Sequence, residues 1–273
     1  MDQDTPDTAS VPPATGAHPK RRGRRLRRIL TVTALVVAGC LVITIGMFAI
    51  WANVTYPAKG PAIERAQSDP AVSIEVSHDF VTMTPTQGAS DRGLVFLAGA
   101  KVEPEAYIGT FESLVASGTS VVIVRPFINL AIFETRPFED FTNQLPDVER
   151  WAVGGHSQGG VKACSYAEDP EVSALVLLAS YCSLGDLSTR TDLAALSVSG
   201  GEDRLVTPDK IADAAPLMPA DSTYVELEGV SHAQFGSYGE QPGDGTPTVE
   251  DAEAQRLIGE ALVDFGAEAE TTW

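Results

Sequence analysis

Residues 153–160 read VGGHSQGG, with Gly154, Gly155, Gly159 and Gly160 crowded around Ser157. Glycine is costly inside a strand or helix because it surrenders the most backbone freedom. Four of them together predict a backbone that needs positive φ, or a very close approach by another segment. Upstream, residues 150–154 (RWAVG) are strand-like; downstream, residues 161–168 carry a helical pattern. The glycines therefore mark a tight strand-to-helix turn with Ser157 at its apex. In such a turn the serine backbone is strained, and missing Cβ atoms keep strand and helix from colliding. The N–H of Gln158 falls at the helix N-terminus, where partial positive charge collects. Residues 155–159 also fit G-x-S-x-G, a pattern whose value comes from this strand–turn–helix setting. An idle serine in a glycine-rich turn is the alternative.

Working outward, residues 73–77 (SIEVS) and 80–84 (FVTMT) alternate like a hairpin. A rhythm of apolar strands and helices follows: strands at 93–98, 120–124, 150–154, 172–180, 196–199 and 224–227. Helical patterns occupy 104–117, part of 130–145, 161–168, a segment opening at Thr207 and Pro208, and 249–265. Strands without alternation are buried on both faces, as in parallel sheets, and their alternation with helices means βαβ units. Sites in such sheets form at the carboxyl ends of the strands. The 15 residues 181–195 between two successive strands leave no room for a lid domain. The rim is then expected to be open, flanked by Phe127, Ile128, Leu130, Ile132 and Phe133, as core or as acyl pocket.

A serine hydroxyl needs a base to become a nucleophile. Of the four histidines, His18 lies in a polar tail, His78 at the hairpin turn, and His156 inside the turn itself, aimed away from Ser157. His232, in VSHAQFG after the last strand, remains. A base of this kind is held by a carboxylate. Asp203, in GGEDRLVTP after strand 196–199, is the first candidate; Asp186, after the preceding strand, is its rival. A developing oxyanion needs two N–H donors. Gln158 supplies one, and Ala100 or Lys101, in the turn after strand 93–98, the other. Three cysteines, Cys40, Cys164 and Cys182, make neither a disulfide scaffold nor a metal site. Cys164 and Cys182 are read as separate buried thiols, with pairing open if the domain is exported.

The N-terminal region is built for a membrane. Residues 1–28 hold 7 of the 19 Lys and Arg but 3 of the 37 Asp and Glu. They read as a disordered basic tail, with 2–19 polar and proline-containing. Residues 29–51 are uncharged over 23 positions, where a spanning helix needs about 20. The basic flank predicts a cytoplasmic N-terminus and an extracytoplasmic domain, with Trp51 and Tyr56 at the outer interface. A signal peptide is the competitor, and VAGC at 37–40 resembles a lipoprotein acylation box around Cys40, although the run stays apolar beyond it. Residues 52–72 read as a linker, with one helical turn open within 53–70. The acidic remainder of the chain argues against nucleic acid as a partner.

The segments GLVFLAGAKVEPEAY, VVIVRPFINLAIF, VGGHSQGG, GGEDRLVTP and GVSHAQFGSYGEQPGDG together resemble the α/β-hydrolases, in a membrane-anchored bacterial branch related to dienelactone hydrolase. The resemblance covers residues 73–268. It implies an α/β-hydrolase fold, with a mostly parallel sheet, helices on both faces and no lid domain, preceded by one transmembrane helix. It also implies a triad of Ser157, Asp203 and His232, with no metal and no organic cofactor. Dienelactone hydrolases proper use cysteine where Ser157 stands, so their ring-opening specificity does not carry over. The segment around Gln234 and Asp244 is expected to fix His232 or to touch substrate. The expected activity is hydrolysis of a small acyl compound, a carboxylic ester first. An acyltransferase with the same residues, or a non-catalytic membrane-tethered binding protein, are the other readings.

Overall fold

The structure is a computed structural model and describes residues 1, 20–269 and 273; the polar segment 2–19, with His18, lies outside them. The chain divides into two compact units, Met1–Ala49 and Ile50–Trp273.

Helix α1 runs Lys20–Ala52, so the basic residues 20–28, read above as tail, are helical. Its segment Arg24–Ala52 is long and apolar enough to cross a membrane, and its uncharged part, 23 residues at about 1.5 Å each, exceeds a hydrocarbon core of about 30 Å.

The second unit holds one eight-stranded sheet: β1 (Val72–Val76), β2 (Phe80–Pro85), β3 (Arg92–Leu97), β4 (Ser120–Val124), β5 (Arg150–His156), β6 (Val172–Leu178), β7 (Ala194–Gly200) and β8 (Thr223–Leu227). Its order is β1-β2-β4-β3-β5-β6-β7-β8, with β2 antiparallel to both neighbours and every later pairing parallel. All eight predicted strands are present within a few residues of their expected limits. β3, β4 and β5 lie at the centre, which is why they are apolar without alternation.

Alternate side chains build two cores. Leu94, Phe96, Val121 and Ile123 face α3 (Ile108–Ala116) and α7 (Asp251–Glu268), packing with Phe111, Leu114, Ile258 and Leu262. Val95, Leu97, Val122 and Val124 face the opposite way, against Phe141 and Ala163 from α4 (Glu139–Thr142) and α5 (Gln158–Tyr166). Each such side chain, fully buried, contributes about 1.5–3 kcal/mol. α6 is Pro208–Ala214, with Thr207 and Pro208 at the expected N-cap and first position.

Four expectations need correction. Residues 52–72 are not a free linker: α2 (Pro61–Ser68) buries Ala62 and Ala66, and Tyr56 N–H donates to Lys101 O at 2.6 Å. The helix is eight residues, longer than the single turn the sequence admits there, and the contacts that order it are tertiary. In 130–145 the α-helix shrinks to the four residues of α4, preceded by 3₁₀ turns at Phe127–Asn129 and Ala131–Phe133. Leu130 is buried, but Phe127, Ile132 and Phe133 are exposed and belong to neither core. Finally, Cys164 and Cys182 form a disulfide. α5 lies against β6, so a cysteine on the sheet-facing side of one meets a cysteine just past the end of the other, a proximity that an 18-residue separation does not announce.

Candidate active site

The turn from β5 to α5 has the strain its glycines predict. Ser157 sits at φ 53°, ψ −122°, a region that non-glycine residues seldom occupy and that costs about 1–3 kcal/mol. Four bonds hold it: Ser157 N–H donates to Leu178 O (3.1 Å), while Ser157 O accepts from Ser180 Oγ (2.7 Å), Gly160 N–H (3.1 Å) and Val161 N–H (3.2 Å). A Cβ on Gly155 would lie 2.2 Å from Gly159 C, and one on Gly159 would lie 2.1 Å from Leu97 O. Glycine is thus required where α5 closes back on its own strand and on the end of β3.

Asp203 and His232 meet beneath the surface. His232 Nδ1 and Asp203 Oδ2 are 2.7 Å apart, with both side chains fully buried. An ionised carboxylate only accepts, so Nδ1 carries the proton and the Nε2 lone pair faces away from the pair. Asp203 Oδ1 accepts from the N–H groups of Leu205 (2.8 Å) and Val206 (2.7 Å), which locks the carboxylate in place. The rival Asp186 is exposed and accepts from Ser188 N–H (3.0 Å) and Oγ–H (2.6 Å) instead; those bonds lower its pKa.

His232 opens a 3₁₀ turn, His232–Phe235, whose start is capped twice. Asp244 accepts from the N–H groups of His232 (3.2 Å) and Ala233 (2.8 Å). Gln234 completes a capping box with Ser231, and its amide also donates to Val249 O and Asp251 Oδ1. Gly245 lies so close to the Asp203 turn that a Cβ would come 1.7 Å from Glu202 O. Asp244 therefore spends its carboxylate on the loop that carries His232, and Gln234 ties that loop to the start of α7.

His156 connects this loop to the elbow. Its ring is 4.5 Å from that of His232, centre to centre. Its Nδ1 is 2.9 Å from Tyr107 Oη, which accepts from Gly99 N–H at 3.0 Å. The Tyr107 hydroxyl proton is thus directed to His156 Nδ1, which leaves the single N–H of the neutral ring on Nε2. Burial, then the positive charge His232 carries when protonated, hold the His156 pKa well below its ordinary value. His156 is a neutral ring. Burial likewise raises the Tyr107 pKa. This link, Gly99 to Tyr107 to His156, was not visible in the sequence, since nothing in PEAYIG marks its tyrosine as the partner of a residue 49 positions away.

The turn after β3 discriminates between the two proposed donors. Lys101, at φ 63°, gives its N–H to Asn129 O at 2.7 Å. Its ammonium lies 4.4 Å over the Trp51 ring. Among the described residues the N–H groups of Ala100 and Gln158 have no acceptor. Likewise Ser157 Oγ and His232 Nε2 are not hydrogen-bonded to each other, and Nε2 is buried without a partner. A cleft of about 660 Å³ runs behind the His232 loop, along Lys59, Ser231, Gln241 and Gln255, and does not include Ser157. No group of His, Cys, Asp and Glu among the described residues is arranged to hold a metal ion.

Sheet order, the strained serine and the buried carboxylate–imidazole pair define the class of α/β-hydrolases. The sequence profile of the alpha/beta hydrolase family matches residues 93–256, and the chain belongs to that family. Solved structures share the fold. An esterase domain from Rhodothermus marinus aligns with a TM-score of 0.51 at 13% identity, over 72% of this chain and 98% of its own. A hyperthermophilic esterase from the archaeon Pyrobaculum calidifontis gives 0.53 at 15%, over 76% and 89%. A thermostable carboxylesterase cloned from a metagenomic library gives 0.52 at 16%, over 74% and 92%. No curated protein matches the chain.

Proposed function

We propose that this hydrolase cleaves a carboxylic ester or a related acyl compound through an acyl-enzyme on Ser157. The observation that carries the reading is the buried Asp203–His232 pair standing beside the elbow, its imidazole 4.5 Å from that of His156.

In this mechanism Ser157 Oγ attacks the carbonyl carbon while His232 Nε2 accepts the hydroxyl proton. Asp203 holds the Nδ1–H tautomer and stabilises the imidazolium. The carbonyl oxygen gains the negative charge and rests on the N–H groups of Gln158 and Ala100, each worth about 2.7–4 kcal/mol. The C–O bond to the leaving group breaks, and the alcohol departs with the proton from His232. Water then attacks the acyl-enzyme, giving its proton to His232 and its oxygen to the acid, and the proton returns to Ser157. The mechanism requires Ser157 Oγ and His232 Nε2 to come within hydrogen-bond reach in the substrate complex, with the Asp203 bond kept; such catalytic bonds are often long before substrate binds.

The domain is held to a membrane by residues 29–51, with its N-terminus cytoplasmic. The Cys164–Cys182 disulfide supports the extracytoplasmic side, where thiols oxidise and stay paired. The test is hydrolysis of esters of graded chain length by the full-length protein, with Ser157→Ala as control. Turnover that the substitution abolishes is expected; turnover that survives it contradicts the proposal.

A further inference from the structure

Between β4 and α4 lies a loop, residues 125–136, that is closed at its base and apolar outside. Glu134, 1% exposed, accepts from the N–H groups of Phe127 (3.2 Å), Thr135 (3.0 Å) and Arg136 (3.0 Å), and pairs with the Arg136 guanidinium at 2.6 Å. At the tip, Ile128 and Asn129 hold φ of 47° and 58°. For a β-branched residue this is an outlier that persists only where surrounding contacts enforce it. Beside the turn's own backbone bonds, two contacts reach the tip from outside the loop. Asn129 O accepts from Lys101 N–H, and Asn129 Nδ2 donates to Ala52 O at 3.3 Å.

The same loop reaches the elbow. Ile132 N–H donates to Gln158 Oε1 at 3.4 Å, one residue from Ser157. Meanwhile Phe127 is 63% exposed and Ile132 39%. Single exposed apolar residues need no explanation. These two sit on a loop that is bonded at one end to the nucleophile turn and at the other to Ala52, the last residue of α1. If residues 29–51 span the bilayer, Ala52 marks its outer surface, and a side chain within hydrogen-bond reach of Ala52 lies at the same depth. Val54, 63% exposed, and Trp51, with Lys101 over its ring, fit the same interfacial zone.

We propose that loop 125–136 rests on the outer leaflet and sets the Ser157 rim against it, so that the substrates are amphiphilic acyl esters taken from the lipid phase. The proposal builds on the membrane-anchored hydrolase reading above and adds the phase from which substrate arrives. Phe127 is the contact with lipid, and the rim reached through Ile132 and Gln158 is the entry.

The test uses the full-length protein, disulfide intact, in phosphatidylcholine vesicles. In a Cys40→Ala background, Phe127→Cys, Ile45→Cys and Glu171→Cys each receive an environment-sensitive fluorophore, and nitroxide-bearing lipids are added as quenchers. Quenching is expected at 45 and 127 and not at 171, which lies at the opposite end of the sheet. In parallel, Phe127→Ser is expected to slow cleavage of a long-chain ester dissolved in the bilayer about tenfold, the partition contribution of one phenyl ring, while leaving a water-soluble acetyl ester unaffected. Quenching at 45 without quenching at 127 overturns the proposal and leaves the anchor standing. No quenching at either removes the anchor and the proposal together. Equal slowing of both esters overturns it as well, by making Phe127 part of the site. If neither ester is cleaved by the wild type, the hydrolase reading itself fails.

Discussion

His232 Nδ1 donates to Asp203 Oδ2 across 2.7 Å, in a setting where neither side chain touches solvent. Among the described residues Asp203 is the one hydrogen-bond partner of Nδ1, so the carboxylate decides which imidazole nitrogen is left as base. Asp203→Asn keeps an acceptor for the Leu205 and Val206 N–H groups but permits the wrong tautomer. We expect a loss of about 10³–10⁴ in kcat on a short-chain ester, with the melting temperature lowered only slightly. Steady-state kinetics and a thermal melt on the same preparation measure both.

Asp244 holds the His232 turn through two backbone N–H groups and touches no candidate reacting atom. Asp244→Ala is expected to lower kcat by about 10–100-fold through misplacement of the base, with KM nearly unchanged. Partial recovery in Asp244→Asn, which retains one acceptor, separates positioning from general destabilisation.

Tyr107 Oη serves Gly99 N–H and His156 Nδ1 at once. Removing it in Tyr107→Phe leaves a buried donor and a buried acceptor unmatched, at about 1–3 kcal/mol each. The expected result is a clear fall in melting temperature. The turn that carries Ala100 begins at Gly99, so kcat should fall as well, with little change in KM.

Glu134 predicts a pH dependence of stability. Burial works against its charge, but the Arg136 side chain and the backbone N–H groups outweigh it and hold the pKa below the ordinary 4.5. A depressed carboxylate contributes its full stabilisation above that ordinary value and loses it as pH falls below it. Glu134→Gln should therefore be less stable than wild type by about 2 kcal/mol at pH 7, with the gap closing progressively below about pH 4.5. Denaturant melts at pH 7 and pH 4 decide it; a constant gap contradicts the assignment.

Reduction of the Cys164–Cys182 bond frees a short loop in the unfolded chain, and is expected to cost about 3 kcal/mol. Melts with and without reductant, using Cys164→Ala/Cys182→Ala as the reference, test this. Short-chain esterase activity well below the melting temperature should persist, because the Ser157 turn is held by bonds of its own, to Leu178 and Ser180.

How much of this was legible beforehand follows from locality. The strands and the elbow are written in short-range patterns, which is why apolar runs such as SVVIV and the glycines around Ser157 could be read directly. Asp203 stood ahead of Asp186 because its loop precedes a helix start at the carboxyl end of β7, and the structure pairs it with His232. What was left open or misread depends on long-range contact. Lys101 and Ala100 differ only in which N–H a distant loop engages. The cysteines meet through helix–sheet packing, and α2 is ordered by α3. Trp273, buried in the core with its indole N–H on Gly93 O, likewise lies past the expected limit at residue 268.

The central claim is that the strained hydroxyl of Ser157 is a nucleophile driven by His232. Intact mass and peptide mapping after brief exposure to a fluorophosphonate measure it directly. The account predicts one adduct per folded chain, on Ser157, absent in Ser157→Ala and formed at least about 10³-fold more slowly in His232→Ala. A folded wild-type chain that stays unmodified, or an adduct on another residue, contradicts it.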